Sequence, residues 1–168
     1  MNKQQICTMK LSKLVATVES AIEAMGVAAK DARGDQPGQW MLVQDFTPVY
    51  VDAWEETESN PWNYFKFETD KTVFQMSVPF VLGPTLKREA FWEELMTVNL
   101  NLHFAKFTYN SKENVVALVW RKPGSALNES EIKSALDSLF YYNQMIFEVL
   151  KDEFALKRVN IEEAKSDV

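Results

Sequence analysis

The feature that most constrains this chain is a change in the spacing of its apolar residues. Between residues 40 and 82 they recur at every second position, whereas the segments on either side have the apolar spacing of helices. The clearest part of this region places apolar residues on alternate positions around Gln75 and Ser77: Phe74, Met76, Val78 and Phe80. Alternation of this kind is typical of antiparallel strands with one covered face. We therefore predict three or four strands, near 40–44, 49–54, 64–68 and 74–80, joined by short turns.

Two segments around this region have the apolar spacing of amphipathic helices. The first covers residues 10–25 and stops at Gly26, since glycine readily takes the left-handed position after a helix. The second opens after Pro84, with Thr85 as the candidate N-cap, and ends near Leu102.

The remainder of the chain predicts a hairpin followed by a long helix. The hairpin has strands near 103–109 and 115–121, separated by a polar connection of normal length. The helix starts at Asn128, which has the spacing of a capping box with Glu131, and runs to about Arg158. Its basic end would complement the helix dipole.

The order of these elements defines the fold class. We predict an α+β fold, with an antiparallel sheet of five or six strands packed against helices in the order α-β-β-β(-β)-α-β-β-α. We expect the first and last helices on one sheet face and the middle helix between subunits. The chain of 168 residues is predicted to form a single domain, with flexible ends at 1–9 and 160–168.

Several common chemistries lack the residues that they need. His103 is the only histidine and Cys7 the only cysteine, so a catalytic triad and a metal-ligand motif are both missing. None of the five glycines belongs to a phosphate-binding motif. A net charge of −6 disfavours nucleic acid and anionic membranes. We therefore predict no catalytic residue, no metal, no cofactor and no nucleic-acid partner.

The compartment follows from the cysteine count and the apolar runs. A single cysteine permits no intrachain disulfide, which fits a reducing compartment. The first ten residues lack the apolar core of a signal peptide, and no apolar run approaches the roughly 20 residues of a membrane span. We expect a cytoplasmic protein without membrane insertion.

The surplus of large aromatic residues points to a contact surface. Five tryptophans are more than one core of this size readily holds, and tryptophan is enriched at binding hot spots. Two purely structural explanations remain open: the tryptophans are half-buried on a sheet face, and the acidic run around Trp54 is a solvated loop. The candidate protein-binding residues are Trp54, Trp62, Glu55, Glu56, Tyr50, Tyr64 and Trp120.

We expect the aromatic candidates of the strands to project from the sheet face that the helices leave uncovered: Tyr50, Trp54, Tyr64 and Trp120. This expectation depends on register, since a slip of one residue would send a side chain to the covered face.

One stretch, residues 95–150, carries a family pattern. Leu95, Asn99 and Leu100 precede a strand, Phe104-Ala105-Lys106-Phe107. A polar hairpin, the strand Val115-Val116-Ala117-Leu118-Val119, Pro123 and the helix start LNESEIKSALDSL follow. Over about residues 10–155 the chain resembles the type III secretion chaperone-like superfamily, which includes the YbjN-like proteins. The resemblance implies a fold like that of dimeric chaperones that hold a secretion substrate in extended form along their surface.

Three functions are consistent with these observations. The first is a non-catalytic protein-binding module, chaperone-like or regulatory, whose assembly as a homodimer stays open. The second is a small-molecule-binding protein or enzyme that uses carboxylates and aromatics in a pocket. The third is an accessory subunit whose tryptophan-rich face is covered in a permanent complex. An exposed apolar patch favours the first, and a deep pocket lined by acids of perturbed pKa favours the second.

Overall fold

The computed structural model describes residues 10–56 and 72–159. Its helices are α1 (Leu11–Ala24), α2 (Ala29–Ala32), α3 (Arg88–Asn101) and α4 (Glu129–Phe154). Its strands are β1 (Gln39–Gln44), β2 (Thr47–Glu55), β3 (Thr72–Leu82), β4 (Lys106–Asn110) and β5 (Val115–Pro123). The strands form one antiparallel sheet in the order β1-β2-β3-β5-β4, which confirms the α+β prediction. The strand predicted at 64–68 lies outside the described residues.

The alternation that predicted the strands has a direct counterpart in burial. Along β3, the phenylalanines, Met76 and Val78 are buried, whereas Gln75, Ser77 and Pro79 between them are partly accessible. β4 and β5 form the predicted hairpin, with Lys106 opposite Val119 at one end and Asn110 opposite Val115 at the other.

A two-residue turn joins β1 to β2. Both of its residues, Asp45 and Phe46, have positive φ angles, of 48° and 62°. Positive φ at both central positions is the geometry that follows the natural twist of a tight hairpin. Glycine or asparagine is usual at such positions, and this turn instead exposes a phenylalanine side chain.

Helix α1 matches its prediction closely. Leu14, Val18 and Ile22 are fully buried on one side of the helix. The helix ends at Ala24, and Gly26 has a φ of +85°. Glycine tolerates this left-handed conformation because it has no Cβ, so the predicted stop signal is confirmed.

Helix α3 begins later than expected. The prediction that Thr85 is its N-cap is wrong, because the chain turns through Lys87 at a φ of +48° and the helix starts at Arg88. A left-handed residue directly before Arg88 interrupts any continuous helix from position 85. Only Phe91 and Leu95 of α3 are buried.

Helix α4 has the predicted start and an earlier end. The Glu131 amide donates to Asn128 Oδ1 at 3.0 Å, and the Asn128 amide donates to the Glu131 carboxylate at 3.3 Å, which is a reciprocal capping box. The helix ends at Phe154 because Ala155 takes a φ of +49°. Arg158 therefore lies beyond the last turn, and its predicted role at the helix dipole is wrong.

The described residues group into two compact units. Unit 1 comprises 10–41, 51–56, 72–75 and 121–134, and unit 2 comprises 42–50, 76–120 and 135–159. Each unit collects segments that are distant in the chain. The single-domain organisation, with flexible ends outside the described residues, stays a prediction.

Unit 1 is close-packed around two glycines. A Cβ on Gly124 would lie 2.5 Å from Thr72 Oγ1 and 2.9 Å from Leu14 Cδ2, so only glycine allows this approach. Gly38 has a φ of +84°, and a Cβ there would lie 2.2 Å from the Ala53 carbonyl oxygen. The Ala53 amide donates to the Gly38 carbonyl at 2.7 Å.

Unit 2 has an aromatic core. The Phe80 ring centroid lies 4.7 Å from that of Phe107 and 6.2 Å from that of Phe147, which belongs to α4. Phe91 of α3 contacts Phe154 at 5.5 Å between centroids. Tilted and edge-on rings at these separations stabilise a core beyond their buried area.

Candidate protein-binding surface

One side of the strands in unit 1 is incompletely covered. Val51 and Ala53 of β2 are buried, whereas Asp52 and Trp54 between them are partly accessible. We use the name open face of unit 1 for four residues of this side: Asp52, Trp54, Gln75 and Arg121.

Three of these side chains form one cluster that crosses β2, β3 and β5. The Arg121 guanidinium carbon lies 5.3 Å from the centroid of the Trp54 ring. Arg121 donates from Nε at 2.9 Å and from a terminal nitrogen at 2.6 Å, both to Gln75 Oε1. The stacking and the two hydrogen bonds hold an exposed arginine in one orientation.

The Arg121 side chain has no carboxylate partner among the residues that the structure describes. The ion pairs within residues 10–56 and 72–159 join Arg33 to Glu19, Lys122 to Glu131 and Lys151 to Glu148. A guanidinium has five N–H donors, and the Gln75 oxygen engages only one edge of it. With respect to the described residues, Arg121 therefore presents an oriented positive charge with unused donors on the open face of unit 1.

Asp52 is the acid of this face. It is half-buried and accepts a hydrogen bond from Gln39 Nε2 at 3.3 Å. Burial raises the pKa of the Asp52 carboxyl, and the Gln39 hydrogen bond offsets part of this effect. A half-buried carboxylate beside Trp54 disfavours a second negative charge at that end of the face.

The predicted site residues are placed as follows. Trp54 lies in the open face of unit 1, Glu55 is exposed at the end of β2, and Glu56 follows it and is partly accessible. Tyr50, in unit 2, is 39% exposed and alternates with buried Val49 and Val51. Trp62 and Tyr64 lie outside the described residues.

Trp120 does not project from the uncovered side of β5, so that expectation is wrong. Along this strand it shares its side with Val116 and Leu118, which are buried. Its ring centroid lies 6.4 Å from that of Phe104, and the Phe104 centroid lies 5.8 Å from that of Tyr142 on α4. The register differs by one position, and the adjacent Arg121 occupies the face expected for Trp120.

A cleft of about 390 Å³ in unit 1 is lined by Val15, Glu19 and residues 33–40, and one of these, Gln39, donates to Asp52 of the open face. Arg33 crosses it to Glu19 with contacts of 2.8 and 3.0 Å, and these hold the pKa of the Glu19 carboxyl below its ordinary value. None of the predicted site residues that the structure describes lines this cleft.

The described residues form neither a metal-ligand cluster nor a membrane-spanning helix. In the part of the chain that the structure describes, no three histidine, cysteine or acidic side chains are grouped as metal ligands would be. Over the same residues, no helix combines the length and the apolar character that a membrane crossing requires.

Unit 2 has an exposed apolar stripe that the sequence pattern did not single out. On α3, Met96 is 67% exposed and Leu100 is 83% exposed, and Leu86 shortly before the helix is also exposed. Isolated exposed apolar residues are ordinary, but these two lie four positions apart on one side of a helix. That spacing could have indicated a second apolar face.

The comparisons with known proteins identify the fold. No protein-family model matches the chain, and no curated protein matches it. A chain of the ExsC–ExsE complex matches with a TM-score of 0.57 and 15% identity, over 80% of this chain and 91% of that chain.

Two further solved structures resemble the chain. For the HopA1–SchA chaperone–effector complex the TM-score is 0.54 and the identity 9%, over 81% of this chain and 95% of that chain. For the ExoT–SpcS complex from Pseudomonas aeruginosa the TM-score is 0.50 and the identity 13%, over 82% of this chain and 98% of that chain. The chain thus has a type III secretion chaperone-like fold, as its sequence pattern predicted.

Proposed function

We propose that this protein is a non-catalytic, chaperone-like module that binds an extended segment of a partner protein on the open face of unit 1. The observation that carries the proposal is the cluster of Trp54, Arg121 and Gln75. Tryptophan and arginine are the residue types most enriched at binding hot spots. An arginine held by a ring and an amide loses little further rotamer freedom when a partner docks.

The structural relatives support the same proposal. The chains that this fold resembles come from complexes between two proteins, one of them described as a chaperone–effector complex. Fold likeness alone does not carry a function from one chain to another. The Trp54–Arg121 cluster is the feature of this chain that adds a reason of its own.

The alternative function, a small-molecule binder or an enzyme, has one observation in its favour. The raised pKa of Asp52 is the kind of perturbation found at functional sites. Asp52 does not line the cleft of unit 1, however, and its hydrogen-bond partner is a glutamine. A desolvated acid next to tryptophan fits a contact surface better than a general acid or base, which must reach a bound substrate.

A homodimer through α3 is the second part of the proposal. Met96 and Leu100 would be covered by a second copy, as expected for a middle helix between subunits. Leu100→Glu places a charge in such an interface and should convert a dimer to monomers in light scattering. A monomeric parent protein would contradict this part and leave the open face of unit 1 untouched. We place the protein in the cytoplasm, as its single cysteine suggests.

The protein-binding proposal is tested by capture from a lysate of the native organism. Wild-type protein, Trp54→Ala and Tyr141→Ala are immobilised at equal density, and bound proteins are quantified by mass spectrometry. Tyr141 is the matched control because it is an exposed aromatic on α4 in unit 2.

We expect one protein to be enriched by the wild type and by Tyr141→Ala, and to fall at least tenfold with Trp54→Ala. Tenfold corresponds to about 1.4 kcal/mol, which exceeds the roughly 1 kcal/mol that most interface residues stay below when they are truncated to alanine. Equal capture by all three proteins would move the binding surface away from Trp54. No enrichment in any sample would contradict the protein-binding proposal.

A further inference from the structure

We propose that Arg121 and Trp54 form a receptor for one aspartate or glutamate side chain in an otherwise apolar, extended segment of the partner protein. This inference rests on the proposed function and specifies the chemistry of its ligand. It adds a requirement, a carboxylate at one position, that a general apolar surface would not impose.

The Arg121 guanidinium is held in a fixed orientation. Its Nε and one terminal nitrogen are engaged by Gln75, which orients the plane of the guanidinium. The centroid of the Trp54 ring lies 5.3 Å from the guanidinium carbon, so the ring covers one side of the guanidinium. An arginine fixed in this way keeps terminal N–H donors for an incoming carboxylate and holds its planar fork in position.

Within the described segments, Arg121 has no carboxylate partner. The chain carries 24 acidic residues against 18 basic ones, so carboxylates are plentiful. Even so, in the described segments the arginine of this cluster bonds a neutral amide, whereas Arg33 of the same unit bonds Glu19. Among residues 10–56 and 72–159 no acid neutralises Arg121. A carboxylate of a partner would supply the charge complementarity that interfaces use to fix register.

Asp52 limits how many acids the partner segment carries. Asp52 lies two positions before Trp54 on the same side of β2, about 7 Å along the strand. Its carboxyl is half-buried, and a second acid of the partner at that point would meet a like charge. The preferred segment has one acid opposite Arg121 and apolar or neutral residues opposite Asp52.

The test is a selection from a library of random 12-residue peptides displayed on phage. Wild-type protein, Arg121→Gln, Arg121→Lys and Arg88→Gln are the four baits. Arg88 is the matched control, because it is exposed at the start of α3 in unit 2. Thermal unfolding of each bait verifies that it is folded.

We expect the wild type and Arg88→Gln to select apolar peptides with a single aspartate or glutamate. Synthetic copies should bind Arg121→Gln at least tenfold more weakly. Arg121→Lys keeps the charge without the fork, so it should also lose most of the affinity. Replacing the acid of the peptide by its amide should reproduce the loss on the wild type and have little further effect on Arg121→Gln.

Three results would overturn the inference. Peptides without an acid, or peptides rich in lysine and arginine, would assign recognition to other residues of the face. Acidic peptides that bind Arg121→Gln as well as the wild type would place the receptor elsewhere. A library that yields no peptide would exclude recognition of a short extended segment. Each of these leaves the lysate capture as a separate test of protein binding.

Discussion

Two arginines of this protein stack on aromatic rings, and they do so in opposite surroundings. Arg121 of unit 1 is exposed and lies against Trp54, with Gln75 as its hydrogen-bond partner. Arg158 of unit 2 is half-buried, and its guanidinium carbon lies 3.9 Å from the centroid of Phe147 and 5.8 Å from that of Phe80.

The partners of Arg158 are internal and numerous. It donates to Asn143 Oδ1, to the Asn143 carbonyl at 3.4 Å and to Gln144 Oε1 at 2.8 Å. Asn143, only 3% exposed, donates in turn to the Pro79 carbonyl at 3.1 Å. Burial lowers the pKa of the Arg158 guanidinium, although an arginine remains charged at neutral pH.

Burial separates the roles of the two arginines: the half-buried one stabilises the fold, whereas the exposed one is available to bind a partner. Arg158 satisfies a buried amide and anchors the chain after α4, where the Leu82 amide also donates to the Lys157 carbonyl at 3.2 Å. Arg121 satisfies no buried group and keeps donors at the surface. We therefore expect Arg158 to contribute to stability and Arg121 to binding.

The largest effect is expected at Arg158. Arg158→Ala leaves the buried Asn143 oxygen without its donor and removes the stacking on Phe147. The unfolding free energy should fall by about 2–3 kcal/mol, since a buried unsatisfied oxygen alone costs about 1–3 kcal/mol. Urea denaturation measures the change.

Arg121→Ala is the paired variant for that measurement. It should change the unfolding free energy by no more than about 0.5 kcal/mol, as surface substitutions do. Equal losses for Arg121→Ala and Arg158→Ala would remove the distinction between the two arginines.

A smaller effect is expected at Asn128, and it separates stability from binding within unit 1. Asn128→Ala removes the capping bond to the Glu131 amide and should lower the unfolding free energy by about 1 kcal/mol. Capture of the partner should not change, because Asn128 lies outside the open face. If capture falls as it does for Trp54→Ala, destabilisation of unit 1 would explain both losses.

The smallest effect is expected at Asp52 and depends on pH. The folded state holds the proton of Asp52 more tightly than the unfolded state does, because burial raises its pKa above 3.8. Ionisation of this carboxyl therefore lowers stability as the pH rises through that range. Asp52→Asn should raise the unfolding free energy at pH 7 by a few tenths of a kcal/mol, the range typical of surface sites.

The gain from Asp52→Asn should vanish towards pH 3, where the wild-type carboxyl is also neutral. Thermal unfolding of both proteins between pH 3 and pH 7 provides the comparison. A loss of stability at pH 7, or a gain that is unchanged at pH 3, would contradict the role assigned to burial at Asp52.

Local patterns predicted the parts of the fold that depend on neighbours in sequence. Three predictions each depend on residues that are close in the sequence: the alternation along β3, the helix stop at Gly26, and the capping box of Asn128 and Glu131. All three are confirmed. Thr85 failed as an N-cap because the conformation of Lys87 decides where α3 starts. The sequence pattern around Lys87 does not predict its left-handed conformation.

The candidate surface was predictable only in part. Trp54 was identified by its residue type, but Arg121, which lies over its ring, is 67 positions away in the sequence, and Gln75, which bonds Arg121, is 21 positions away. Their contact depends on strand order and register, which a single sequence specifies weakly. The same limit explains why Trp120 was assigned to the face that Arg121 occupies.

The most direct test of the central claim is photo-crosslinking in living cells. The photoreactive residue p-benzoylphenylalanine replaces Asp52, which leaves Trp54 and Arg121 intact, in one protein and Tyr141 in another. Adducts are identified by mass spectrometry after irradiation. We predict a single protein adduct at position 52 and none at position 141. Adducts of equal yield at both positions, or none at position 52, would contradict a partner-binding surface on the open face of unit 1.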